Sequence, residues 1–386
     1  MSNVIINDEY LSAIGDAIRI KSGTEDLIKP KDMANSILAI TSGDMPEEAF
    51  NITGNCSYRF ANDGWNWFID EYGYSIKTKD ITSASYMFSS ASQLQKIPFD
   101  INMKHTTSYD LSSMFGTCSK IEEIPNVNNA YPNGMSNFFY QCQNLRYLPE
   151  DFGSNWNWER IQTYDYATAH QIFAYCYSLR GVPEYFLSQL YGRYSSSYGN
   201  PYGSMFYYCY NIDEIKNLPV SPGTLSSNVF TNTFSYCGNL KSLTFMTNED
   251  GTPKTANWKS QTIDLSKGVG YCVLSYSSYK RDYRCYNSGR IIDKAIYNQE
   301  TYMALKDDPE AFVSGYSSEN PEQFSKYNHD SAVETINSLP DTSAYGTNTI
   351  KFTGAAGAST DGGAINTLTE QEIAVATAKG WTVSLV

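Results

Sequence analysis

Between residues 87 and 243 the apolar positions of this chain repeat in a pattern that is neither helical nor strictly alternating. An aromatic residue is followed three positions on by Cys or Ala, six on by Leu or Ile, and nine on by a second aliphatic. The copies are Phe88-Ala91-Leu94-Ile97, Phe115-Cys118-Ile121-Ile124 and Phe139-Cys142-Leu145-Leu148, then Phe173-Cys176-Leu179-Val182, Phe206-Cys209-Ile212-Ile215 and Phe234-Cys237-Leu240-Leu243. The first four copies are each followed by proline: Pro98, Pro125, Pro149 and Pro183. The phenylalanines are spaced by 27, 24, 34, 33 and 28 residues, so a constant core alternates with connections of variable length. A unit this short cannot bury its apolar face alone, and stacked neighbours supply the missing contacts.

The flanks have a different texture. Residues 7–22 place Leu11, Ile14 and Ile18 at helical spacing behind Asn7 and Asp8, with Gly23 to close the helix. A second short helix is predicted over 31–40, with Pro30 near its first turn and Met33, Ile37 and Ile40 on one face. Together these segments lack the area for an independent core, so their stripes are expected to pack on a partner subunit or on the repeats. Residues 50–60 alternate like a strand, and Trp65, Trp67 and Phe68 follow the turn-forming Asn62-Asp63-Gly64. That suits a cap over the first coil, with an exposed tryptophan cluster for stacking on sugars as the alternative. At the far end, Ser331 with Glu334 and Thr369 with Glu372 read as capping boxes. Each opens a helix leading to a strand, over 348–353 and 381–385 respectively, with Gly380 closing the second helix.

The repeats, over roughly residues 80–245, resemble leucine-rich repeats of the bacterial surface-antigen (BspA-like) type. The resemblance implies that each Leu-x-x-Ile-Pro end is a short strand in a parallel ladder and that Met-Phe-x-x-Cys is a helical turn behind it. The hairpin segments 11–19 and 33–37 look like the start of many phage tail and baseplate proteins, and 373–383 is similar to the closing segment of phage-encoded repeat proteins. The expected fold is an α/β solenoid, an irregular leucine-rich-repeat (BspA-like) architecture with short parallel strands. An N-terminal helical attachment or oligomerisation hairpin (1–42) and an N-terminal cap (43–80) precede the repeats (81–245). A Tyr-rich irregular insertion of degenerate repeats (246–327) and a C-terminal helix-strand cap (328–386) follow.

Composition narrows the function. The 386 residues are 41% hydrophobic, ample for a core and too many for one simple compact domain. A net charge of −13 without a basic run disfavours nucleic acid and anionic membranes as partners. The start Met1-Ser2-Asn3-Val4 shows neither a basic nor an apolar leader region, which predicts synthesis in the host cytoplasm. His105, His170 and His329 are isolated, no hydrolase or phosphate-loop motif occurs, and zinc spacing is missing, so no catalytic residue, metal or cofactor is expected. Asn248-Glu249-Asp250-Gly251 reads as a surface turn, and the acidic pair Glu122 and Glu123 as solvated charge. Cys118, Cys142, Cys176, Cys209 and Cys237 share one repeat position and are expected to form a buried structural ladder of reduced thiols. Cys56, Cys272 and Cys285 fall outside it.

Binding is better supported. The chain holds 32 Tyr, and three inter-repeat segments concentrate Tyr and Trp among Ser, Asn and Gly, the residue alphabet of paratopes. The candidate binding residues are Trp156, Trp158 and Tyr164; Tyr191, Tyr194, Tyr198 and Tyr202; and Tyr276, Tyr279 and Tyr283. With the phage resemblance, they predict a virion structural protein of a tail, baseplate or tail fibre that recognises a host cell-surface glycan or protein. The hairpin would contact other virion proteins and build a homo-oligomer. A purely structural virion subunit bound to tail or capsid proteins, and a bacterial cell-surface leucine-rich-repeat adhesin, are the alternatives.

Overall fold

The computed structural model describes residues 50–105, 109–159, 169–190, 202–219, 228–253, 258, 260–267, 269, 271–277, 282–287, 290–293, 323–325, 327, 329–352 and 368–386. The two helices expected over 7–22 and 31–40 lie outside the described residues. Contacts divide the chain into one unit of residues 1–52 and 75–77 and a second of residues 53–74 and 78–386. The repeats belong to the second unit.

Its organising feature is a backbone ladder between successive copies. Alternate amides of one copy donate to carbonyls of the next: Ser113 to Ser136, Phe115 to Phe138 and Thr117 to Tyr140, at 2.9, 3.0 and 2.6 Å. The intervening amides close tight turns within the copy, as Met114 to Leu111, Gly116 to Ser113 and Cys118 to Phe115. The same alternation recurs at Phe88 to Met114, Phe139 to Ile172, Phe173 to Met205 and Phe206 to Thr233. Two residues per copy have positive φ, at positions −2 and +2 from the phenylalanine: Ser113 and Thr117, Asn137 and Gln141, Gln171 and Tyr175, Ser204 and Tyr208, Asn232 and Tyr236. With Thr117 third of four in the turn Phe115–Cys118 and left-handed at φ 66, the turn has the signature of type II. Here the structure departs from the expected helical turn behind the strand. The reason is local: left-handed residues every four positions turn half the amides outward to the neighbouring copy, whereas an α-helix would keep them all inside.

This geometry stacks the phenylalanines. Phe60, Phe88, Phe115, Phe139, Phe173, Phe206 and Phe234 are buried, with ring centroids 5.5–6.4 Å apart and interplanar angles of 4–19° along the row. Phe60 belongs to an extra copy in which Tyr58 and Asn62 carry the positive φ. The strand expected over 50–60 therefore stops at β1 (Asn51–Asn55). At the Cys position this copy has Asp63, whose carboxylate accepts from the Gln93 amide, the Ser92 hydroxyl and the Asn66 side chain at 2.8–3.0 Å.

The aliphatic ends of the copies are extended but mostly too short to register as strands. Single inter-copy bonds join them, Glu122 to Gln95 and Arg180 to Arg146. Beyond β2 (Lys77–Ser83), the parallel pairs are β3 (Ile101–Asn102) with β5 (Val127–Asn128), β4 (Tyr109–Asp110) with β6 (Pro132–Gly134), and β7 (Glu214–Leu218) with β8 (Ser242–Phe245). Only the last pair falls on the Leu-x-x-Ile ends, where Lys216 and Thr244 rather than proline directly follow the second aliphatic. In the first four copies Pro withholds an amide and ends the pairing. Short helices sit in the connections: α1 (Asn66–Tyr72) after the extra Phe60 copy and α2 (Glu184–Gln189) after Pro183.

Within 246–327, the range expected to be an irregular insertion, the described residues include paired strands. β9 (Thr262–Asp264) joins the C-terminal sheet, and β10 (Tyr271–Ser277), β11 (Asp282–Asn287), β12 (Arg290–Asp293) and β13 (Gln323–Ser325) form an antiparallel sheet in the order β12-β11-β10-β13. The C-terminal region carries α3 (His329–Ser338), β14 (Asn348–Phe352), α4 (Glu370–Ala378) and β15 (Trp381–Leu385). β9, β14 and β15 make a parallel sheet with β14 central. Thr369 and Glu372 form the reciprocal capping box. Ser331 does not cap: α3 begins at His329, leaving Ser331 inside the first turn and buried. Gly380 is required by space, because a Cβ there would lie 2.8 Å from the Ser343 amide nitrogen at a φ of +81°. Beside it, the Lys379 ammonium donates to the carbonyls of Asn337 and Ile336 at the end of α3, where a cation complements the helix dipole.

Candidate functional site

The turn face carries a second aromatic row outside the phenylalanine row. Position +2 from the phenylalanine is Tyr175, Tyr208 and Tyr236 in the last three copies, position +4 is Tyr177 and Tyr210, and position +1 is Tyr140 and Tyr207. The ladder holds equivalent positions in register, so these rings meet. Tyr175 stacks on Tyr208 at 5.2 Å and 13°, and Tyr208 on Tyr236 at 4.5 Å and 8°. Tyr140 stands edge-on to Tyr175 at 5.5 Å, and Tyr207 edge-on to Tyr208 at 4.3 Å. Tyr177 and Tyr210 lie 5.1 Å apart, and Tyr210 meets Tyr208 at 5.4 Å. Such pairs contribute about 0.5–1.5 kcal/mol each beyond area burial, so the row stiffens as it grows.

Tyr208 and Tyr210 are buried, while Tyr140, Tyr175, Tyr177, Tyr207 and Tyr236 are half-buried. Burial, then neighbouring hydroxyls, pushes the phenols of Tyr177 and Tyr210 above the ordinary tyrosine range. Their hydroxyls therefore remain neutral and can both donate and accept. A rigid surface of aromatic edges and neutral hydroxyls fits ligands that present apolar C–H faces beside hydroxyl or amide groups.

The residues singled out from sequence fall elsewhere. Trp156, Trp158 and Tyr202 are buried, at 6%, 5% and 0% exposure, and are not presented to solvent as binding residues. The Trp156 indole donates to the Val127 carbonyl and the Trp158 indole to Gly153, and both rings pack on Phe186 of α2. They fill the space that the long connection after the third copy would otherwise leave. Tyr276 and Tyr283 lie directly opposite one another on the antiparallel pair β10 and β11. Tyr164, Tyr191, Tyr194, Tyr198 and Tyr279 lie outside the described residues. Trp65 and Trp67, read as part of a cap, are 44% and 60% exposed and touch Phe68 edge-on. Glu122 and Glu123 are exposed, and Asn248–Gly251 forms a turn closed by the Gly251 amide on the Asn248 carbonyl.

The five repeat cysteines are fully buried and free. Each thiol donates to the carbonyl of the phenylalanine one copy back: Cys118 to Phe88, Cys142 to Phe115, Cys176 to Phe139, Cys209 to Phe173 and Cys237 to Phe206, at 3.0–3.3 Å. Burial pushes the Cys118 thiol up to about 12 and the others upward as well, which keeps them protonated and unreactive. Cys56 is also buried, and its thiol points at the Thr53 carbonyl. Among the described residues no three His, Cys, Asp or Glu side chains converge as metal ligands would, and no helix is long and apolar enough to cross a membrane. His329 is tied to Glu372 at 3.1 Å between α3 and α4.

The tyrosine row is the feature that sequence reading missed. Its signal was present, since Tyr recurs at fixed offsets from the repeat phenylalanine. The aromatic residues that composition marks out lie instead in the connecting segments. Comparison with known proteins returns no matching family, no matching curated protein and no matching solved structure.

Proposed function

We propose that the chain is a phage virion protein of the tail, baseplate or tail fibre, built as a leucine-rich-repeat-like solenoid that recognises the host cell surface. The phage setting rests on the resemblance of the N-terminal and C-terminal segments. The solenoid reading is supported by copies that bond in sequence order and stack one phenylalanine per copy. The observation that carries the recognition reading is the stacked row Tyr175-Tyr208-Tyr236 with Tyr140, Tyr177 and Tyr207 around it. Aromatic side chains held this way present contact area with little entropy left to lose on binding.

The test is binding of the purified protein to a panel of bacterial cells, compared with a variant carrying Tyr140→Ser, Tyr177→Ser and Tyr207→Ser. These three side chains are half-buried, and circular dichroism serves as the control that the variant keeps its fold. Strain-selective labelling that falls at least tenfold in the variant supports the reading. Absence of wild-type binding to any cell, together with co-purification with other tail proteins, assigns the chain to virion architecture instead.

A further inference from the structure

We propose that a cleft at the aliphatic ends of the last four copies is a saccharide subsite; this rests on the host-recognition reading and gives it a ligand class. The cleft has a volume of 360 Å³, within the ~300–1,000 Å³ of small-molecule sites. Tyr147, 60% exposed, lines it, and the charged side chains around it are Arg180, Lys216 and Lys241 with Glu184, Asp213 and Glu214.

The fold sets the order of these groups. The Asp213 amide bonds to the Arg180 carbonyl and the Lys241 amide to the Asp213 carbonyl, each at 2.9 Å. The three residues thus occupy one register position in successive copies, one strand spacing of ~4.8 Å apart, in the order cation, anion, cation. Lys216 and Glu214 pair at 2.7 Å on β7, and the Asn217 side chain donates to the Glu184 carboxylate from the same strand. Glu184 opens α2, which packs on β7, so its carboxylate is anchored rather than adrift.

Charge balance selects the ligand. A polyanion would meet three carboxylates here and a polycation three cations, so neither gains net attraction. A neutral ring bearing many hydroxyls uses both sets, because carboxylates accept from its hydroxyls while Arg and Lys donate to them. The exposed Tyr147 ring offers an apolar face for the C–H side of the same sugar. A mono- or disaccharide unit of a surface glycan fits this donor set and this volume.

The experiment is saturation-transfer NMR and titration calorimetry on the full chain. The probes are the methyl glycosides of glucose, galactose and N-acetylglucosamine, and neutral oligosaccharides released from bacterial lipopolysaccharide. Wild type, Tyr147→Ala, Asp213→Asn and the triple tyrosine variant are compared, with thermal unfolding as the control that each is folded. Saccharide binding that weakens at least tenfold in Tyr147→Ala and Asp213→Asn, but survives in the triple tyrosine variant, is the expected result. Cell binding by the wild type with no saccharide bound, or with equal saccharide affinity in all variants, overturns the cleft and leaves the recognition reading standing. Neither cell nor saccharide binding overturns both. Tighter binding of phosphate-bearing glycans than of neutral ones also overturns the cleft as described.

Discussion

Replacing Phe139 and Phe173 by leucine, singly and together, measures how strongly neighbouring copies are coupled through the phenylalanine row. The two rings stack at 5.5 Å and 11°, both fully buried. Phe139 also touches Phe115 at 5.6 Å and Phe152 at 5.9 Å, and Phe173 touches Phe206 at 5.5 Å. Leucine keeps most of the apolar volume, so each single change should cost roughly 1–2 kcal/mol, less than the ~3–5 kcal/mol of a Phe to Ala truncation. The Phe139–Phe173 contact is lost in either single variant and can be lost only once. The double variant should therefore be less destabilised than the sum of the singles, by the ~0.5–1.5 kcal/mol of an aromatic pair. Phe88 and Phe206, separated along the row by Phe115, Phe139 and Phe173, are the control and should add within ~0.3–0.5 kcal/mol. Urea unfolding followed by circular dichroism reads the effect, with the slope checked for constancy because stacked repeats can unfold in parts. Additivity for Phe139 with Phe173 as close as for the distant pair would refute the claim that the row couples the copies.

Two further expectations follow from the backbone and the C-terminal region. Thr117 is a β-branched residue at φ 66, where a non-glycine residue costs ~1–2 kcal/mol and Asn is tolerated best, so Thr117→Asn should raise stability by roughly 0.5–1 kcal/mol; a lower urea midpoint would count against the turn geometry. Hydrogen bonds to Glu372 and Asp330 raise the His329 pKa, so its contribution is complete below the unfolded value of ~6.5 and lost as pH rises through the folded one. The Thr369 amide and His329 lower the Glu372 pKa, so that contribution is present above ~4.3 and lost as pH falls through the folded value. The difference in melting temperature between wild type and His329→Gln should therefore be largest between about pH 4.5 and 6.5 and shrink above neutrality. A difference that stays flat from pH 5 to 8 would remove the ion pair from the account.

The repeat core was legible in the amino-acid order because it depends on residue type at fixed offsets. Phe, Cys and Leu or Ile recur at positions 0, +3 and +6, and all are buried in the structure. The Thr369–Glu372 box and the strands at 348 and 381 were legible for a similar reason, since capping and alternation are satisfied within a few residues. What the order of residues left open was how each copy spends its backbone amides. Helical turns and consecutive type II turns both place positions 0, +3 and +6 on one side; they differ in whether alternate amides reach the next copy. That choice is made between copies about 24–34 residues apart, and it decides which side chains become neighbours. It gathers Tyr175, Tyr208 and Tyr236 into one stack, and it brings Arg180, Asp213 and Lys241 side by side. It also draws Trp156, Trp158 and Tyr202 inward, because the volume beneath the long connections must be filled and these are the large apolar rings within reach. Composition alone marks such rings as suited to binding or to packing, and only the tertiary register assigns each one to the surface or to the core.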